Sequence, residues 1–171
     1  MKKLITCILI AAALLITMPS IAHAAALGIS EPEKEPMIIK VSDDEIDILA
    51  QLVWAEARGV DSRMEQAAVV WCALNRVDAG MWGSTITEVV TAKHQFAYRA
   101  SAPVTEELRE LAADIVDRWV REQLGSDDVG RVLPDDYLYF AGRNGRNWFR
   151  QDYGSRSYWD WSLPDPYTEE A

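Results

Sequence analysis

A mainly α (α+β) domain, helical for most of its length with a small antiparallel β-hairpin near the C-terminus, is the fold class that three observations in the sequence predict. Ser or Thr stands three residues before Glu at Ser42/Glu45, Ser62/Glu65 and Thr85/Glu88, the pattern of a helix capping box. Apolar residues behind these caps recur at helical spacing. Asn144-Gly145 lies between two aromatic runs, and Asn-Gly is a strong hairpin signal.

The elements follow in order. Ile46, Leu49, Ala50, Val53 and Ala57 mark an amphipathic helix from the Ser42 cap to about Gly59. The helix capped by Ser62 is apolar on almost every side through Ala67, Val70, Leu74 and Val77, which predicts a central, buried helix ending at Gly80. Thr85 opens a short third helix through Val89 and Val90. From Thr105 to Leu124, Leu108, Leu111, Ala112, Ile115 and Trp119 form an inner stripe, with Glu107, Glu110, Asp114, Asp117 and Arg121 outside, so this is a surface helix whose acids are solvated. Tyr137 to Phe140 and Asn147 to Phe149 then supply the two arms of the hairpin.

The first 24 residues read differently. Lys2 and Lys3, an apolar run from Leu4 to Met18, and Ala22-His23-Ala24 have the form of a cleavable secretory signal, and the run is too short for a bilayer-spanning helix. Residues 25–41, with their alternating Pro and charge, read as a linker, residues 42–163 as the folded domain and 164–171 as a tail. A secreted or cell-envelope location is expected, without stable membrane insertion after signal cleavage.

The chain has 171 residues, with 17 Lys+Arg against 27 Asp+Glu for a formal net charge of −10. That length builds one well-buried domain, and an acid excess of this size disfavours nucleic acid and anionic lipid headgroups, which reward clustered cations. Beyond the leader there remain one thiol, Cys72, and one imidazole, His94. They cannot form an intrachain disulfide and lack the clusters of a zinc site, so no metal and no cofactor is expected. Cys72 lies mid-helix in an apolar run with nothing to lower its pKa, which makes it a buried structural thiol rather than the nucleophile of a Cys/His pair.

Glu56 is the residue that chemistry points to. It falls in the last turn of the first helix, and Leu49, Leu52 and Val53 at helical spacing place it at the edge of the apolar face. Burial and the negative end of the helix dipole both favour a protonated carboxyl, which is what a general acid needs to protonate the oxygen of a departing sugar. A structural ion pair with Arg58, Arg63 or Arg76 is the competing account.

The residues around it resemble a family. Leu52-Val53-Trp54-Ala55-Glu56-Ala57-Arg58-Gly59, then Gln66, Ala68-Val69, Leu74-Asn75-Arg76-Val77, Gln95-Phe96, Tyr139-Phe140 and Asn147-Trp148-Phe149 are similar to the cell wall hydrolases of the SleB type, best known as spore-cortex-lytic enzymes. The likeness spans roughly Ile46 to Trp161. It implies a lysozyme-like domain related to lytic transglycosylases and goose-type lysozymes, acting on peptidoglycan glycan strands, with Glu56 as the catalytic acid. Members commonly carry a second Glu after the Gly, where this chain has Val60.

The resemblance also implies a substrate cleft involving Gln95, Phe96, Tyr139, Asn147, Trp148 and Phe149. The residues themselves support a binding surface in that region, because Arg143, Arg146, Arg150 and Arg156 face only Asp152 there and aromatic side chains interleave with them. Aromatic faces stack on sugars and Arg forks pair with carboxylates. Retaining and inverting hydrolases use two carboxylates, whereas a lytic transglycosylase works with one, and only Glu56 sits in a motif. Cleavage between muramic acid and glucosamine by a lytic transglycosylase is therefore the expectation. A lysozyme-type muramidase drawing on Asp61, Glu65 or Asp152, and a non-catalytic wall-binding accessory protein, are the alternatives. No regulatory partner protein can be named from the sequence.

Overall fold

A computed structural model describes residues 39–168. The leader and nearly all of the linker, together with residues 169–171, lie outside the described residues. Four helices come first, α1 (Asp43–Ala57), α2 (Arg63–Asp78), α3 (Ile86–Thr91) and α4 (Glu106–Gln123), followed by strands β1 (Tyr139–Arg143) and β2 (Arg146–Arg150). The molecule is thus mainly helical with one small antiparallel sheet, as its caps and periods predict. None of the described helices is long and apolar enough to cross a membrane.

The first three helices begin at their predicted caps and α4 begins just after Thr105, whose hydroxyl caps it, but only one capping box is complete. At α1 the Ser42 hydroxyl accepts from the Glu45 N–H while Glu45 accepts from the Ser42 N–H. At α2 the Ser62 hydroxyl accepts from the Glu65 N–H at 3.2 Å, yet the Glu65 carboxylate does not return to Ser62. At α3 the Glu88 carboxylate turns to the Ser84 N–H, at 2.8 Å, instead of the cap. In these two helices a different donor competes successfully for the Glu side chain, so the expected box is half made.

α2 is the central helix. Met64 to Arg76 are buried except Gln66, and the helix packs against α1, α3 and α4. Leu49, Leu52 and Val53 of α1, Leu111 and Ile115 of α4, and Val132, Leu133 and Phe149 from the later chain complete the core around it. The buried polar residues at its C-terminal end fix the approach to the sheet. Asn75 Nδ2 donates to the carbonyls of Pro134 (2.8 Å) and Tyr137 (3.1 Å), and Arg76 Nε donates to that of Leu138 (2.7 Å). These bonds tie the end of α2 to the backbone that leads into β1.

β1 and β2 pair in register Tyr139↔Arg150, Phe140↔Phe149, Ala141↔Trp148, Gly142↔Asn147 and Arg143↔Arg146. Asn144 (φ 56°) and Gly145 (φ 73°) both take the left-handed conformation that a two-residue hairpin of this twist requires. Beyond β2 the chain is irregular but attached. The Trp159 N–H donates to the Phe149 carbonyl at 2.9 Å, and the Tyr167 hydroxyl donates to Asp114 on α4 at 3.3 Å.

Candidate active site

α1 ends with Glu56 next to its last residue, so the helix delivers this side chain to the point where α1, α2 and the hairpin meet. Burial holds its carboxyl above the ordinary value of 4.5, outweighing the Ala97 N–H and the Arg76 charge, both of which favour the anion. The Ala97 N–H donates to Oε1 at 2.5 Å and fixes one oxygen. The backbone of Glu56 is held as well: Asn147 Nδ2 donates to its carbonyl at 3.2 Å, satisfying one of the carbonyls that the end of a helix leaves open.

Asn147 is the hub of this arrangement. Its own N–H donates to the Glu65 carboxylate, which is why Glu65 does not close its capping box. Glu65 and Asn147 are each only 4% exposed. Burial raises the Glu65 carboxyl too, against the Asn147 N–H and the nearby Arg146 charge. Gly142 lies opposite Asn147, and a Cβ there would stand 3.3 Å from Asn147 Oδ1, so a bare backbone leaves the amide the room it needs. One asparagine thus joins the C-terminal end of α1, the first turn of α2 and β2.

One cavity opens on Glu56 and a second lies next to its neighbours in the chain. The first, of about 260 Å³, is lined by Glu56, Val60, Gly142, Arg143, Arg146 and Asn147, among others. The other, of about 230 Å³, lies beside Ala55 and beside Ala97, the donor to Glu56, and extends to Arg58, Arg99 and Ser101. Glu56 is the only carboxylate lining either of them. A larger hollow of about 660 Å³ at the far ends of α2 and α4 is lined by Asp78, Glu122, Asp135 and Asp136. Its one guanidinium, Arg131, is spent on Glu122 through two bonds of 2.6 Å, and its one carboxyl raised by burial, Asp78, has both oxygens engaged by the Trp119 indole N–H.

Among the residues expected at a cleft, the structure brings Glu56 and Asn147 together and disperses the others. Phe149 is 1% exposed and packs on Phe140 and Trp161, which makes it core. Trp148, between the two, points to the opposite face of the hairpin. Alternation along a strand forbids three consecutive residues from sharing one face, so Asn147, Trp148 and Phe149 cannot line one cleft together. Phe96 is partly buried beside Phe140, and the Gln95 carbonyl accepts from Arg76 at 3.5 Å; neither lines a cavity at Glu56. Tyr139 stacks edge-on between Trp82 and Tyr153, each 6.0 Å away.

Arg76 matters more than its place in the sequence suggests. Buried at 4% exposure, its guanidinium lies 4.2 Å from the centre of the Phe96 ring and 4.6 Å from that of Trp82 while bonding the Leu138 carbonyl. It therefore acts on Glu56 as a fixed charge without an ion pair. The sequence offers Arg76 as a possible ion-pair partner of Glu56 and as part of the Leu74-Asn75-Arg76-Val77 motif, but gives no sign of the aromatic rings that hold it. Cys72 is buried with its thiol pushed up to about 12, which excludes it as a nucleophile. Among the described residues no group of three or more His, Cys, Asp or Glu side chains could hold a metal ion.

Residues 61–161 match the family model described as Cell Wall Hydrolase, more than half of the chain, and the chain belongs to that family. The match begins just after Glu56 and takes in Glu65, Arg76, Ala97 and the whole hairpin. No curated protein and no solved structure matches the chain.

Proposed function

We propose that this cell wall hydrolase cuts the glycan strand of peptidoglycan between muramic acid and glucosamine as a lytic transglycosylase, with Glu56 acting first as acid and then as base. The observation that carries this reading is that a single carboxylate, half-buried and biased toward its protonated form, lines the cavity between the end of α1 and the hairpin tip. Protonated Glu56 donates to the glycosidic oxygen as the bond from C1 breaks. The resulting carboxylate accepts the proton of the muramyl C6 hydroxyl, whose oxygen bonds to C1 and closes a 1,6-anhydro ring. No water is consumed and Glu56 ends protonated, ready for the next cut.

The Ala97 N–H suits both halves of this cycle. It fixes Oε1, leaving the other oxygen to carry the proton, and it stabilises the anion formed in mid-reaction. A water-activating hydrolase instead needs a second carboxylate across the scissile bond, and none lines either cavity. Glu65, one of the three carboxylates that the sequence offers, is buried and committed to Asn147. We place the reaction outside the cytoplasm, after removal of the leader read at residues 1–24.

Mass spectrometry of digested peptidoglycan tests the proposal. Anhydro-muramic ends are the expected product. Reducing ends transfer the assignment to a muramidase, released stem peptides to an amidase, and an undigested wall that still binds the protein to an accessory role.

The pH profile gives a second expected result. The acid form of Glu56 survives to pH values above 4.5 because its folded-state pKa is raised, so activity falls on the alkaline side as pH climbs through that raised value. A kcat/KM profile whose alkaline limb lies at or below the ordinary carboxyl value contradicts a desolvated general acid.

A further inference from the structure

The hairpin has two faces: one turns to the core and to Glu56, and the other reaches the site only at the tip, where Arg143 and Arg146 line the cavity at Glu56. Phe140, Gly142, Asn147 and Phe149 point inward, to the core and to Glu56. Tyr139, Ala141 and Arg143 of β1 and Arg146, Trp148 and Arg150 of β2 point the other way, in the facing pairs that the register sets. That outer face is open: Trp148 is 40% exposed, and Ala141, Arg143 and Arg146 are exposed beside it.

Irregular chain after β2 extends the face with further aromatics. The Tyr158 ring lies 5.3 Å from that of Trp148 and is 41% exposed, and the two rings with Ala141 and Arg143 bound a hollow of about 360 Å³. Ala141, opposite Trp148, is small enough to leave that hollow open. Tyr153, 76% exposed, meets Tyr139 at 6.0 Å and lies 5.3 Å from the Arg150 guanidinium. Among the described residues Arg143, Arg146 and Arg150 enter no ion pair, and Arg150 Nε is buried without an acceptor. In a chain of net charge −10, this is a face of unspent cations between exposed rings.

We propose that the outer face of the hairpin is a second, non-catalytic binding surface for the carboxylate-bearing glycan strand, with Trp148 and Tyr158 stacking on sugar rings and Arg143 and Arg146 receiving stem-peptide or lactyl carboxylates. The proposal rests on peptidoglycan being the substrate and deepens that reading. Charge complementarity selects the occupant: rings in an open hollow suit pyranose faces, and free guanidinium forks suit carboxylates. Arg143 also lines the 260 Å³ cavity at Glu56, so the two surfaces meet at the hairpin tip and one strand can pass from the cleft over the tip onto the outer face. Such a grip holds polymer beyond the bond being cut and raises its effective concentration at the cleft.

The test uses the full chain and peptidoglycan stripped of other wall polymers. In a Glu56→Gln background, sedimentation with this polymer reads binding without cleavage. Adding Trp148→Ala and Tyr158→Ala is expected to weaken binding by about tenfold, with the unfolding midpoint held because both side chains are exposed. In the active enzyme the same pair lowers the rate on polymer about tenfold more than the rate on a muramyl fragment short enough to fill only the cleft. Undiminished binding by the triple variant, or equal loss on polymer and fragment, overturns the proposal. If wild-type enzyme cleaves neither substrate, it is the cleavage reading that fails, and sedimentation still decides the outer face.

Discussion

Replacing Glu56 with Gln lowers glycan cleavage by about 10²–10⁴-fold, the usual contribution of a positioned general acid, while the fold persists. Gln keeps the size of the side chain and an oxygen for the Ala97 N–H, and it deletes only the transferable proton. The stability of the variant has a definite sign. Burial raises the Glu56 carboxyl, so the stability this group contributes is present below its ordinary value of 4.5 and is lost as pH rises through the raised value. Measured against wild type, the unfolding midpoint of Glu56→Gln is therefore level in acid and gains as pH increases. Clearing of a peptidoglycan suspension by the variant at the wild-type rate removes Glu56 from the chemistry. A collapsed midpoint at all pH values instead shows that the carboxyl has a structural role.

The second large effect is expected at Glu65, which no substrate touches in this account. Glu65→Ala leaves the Asn147 N–H buried without an acceptor, at a cost of about 1–3 kcal/mol, or a midpoint drop of roughly 3–4 °C for each kcal/mol in a domain of this size. Activity falls with it, because the asparagine that loses its anchor is the one holding the Glu56 carbonyl. Glu65→Gln keeps an acceptor oxygen and recovers most of both losses. That conservative rescue separates a positioning role from mere packing. An Ala variant as stable and active as wild type means that the link through Asn147 contributes nothing.

The sequence already carries most of the fold. Caps at Ser42, Ser62, Thr85 and Thr105 start all four helices where the hydroxyls stand, and Asn144-Gly145 sets the turn, because these signals act over three or four residues. The site is less legible for a reason of range. Glu65 reads as a capping partner for Ser62 until β2, 82 residues later, presents a backbone donor that takes it away. The Ala97 N–H carries no side-chain signature at all, since any residue but proline supplies one. Strand alternation turns Trp148 away from Asn147, a local rule that could be applied to the bare sequence, whereas Phe149 shares the face of Asn147 and is lost to the cleft because it packs into the core.

Asn147 also sets an order of events. The bond from its amide to Glu56 closes a separation of 91 residues, so most of the chain must exist before that bond can form. Contacts of such long range are the slow ones in folding, because loop closure must precede any gain from them. A chain interrupted before residue 147 lacks the amide that donates to the Glu56 carbonyl. The last bond to reach the end of α1 is thus one that only a nearly complete chain can make.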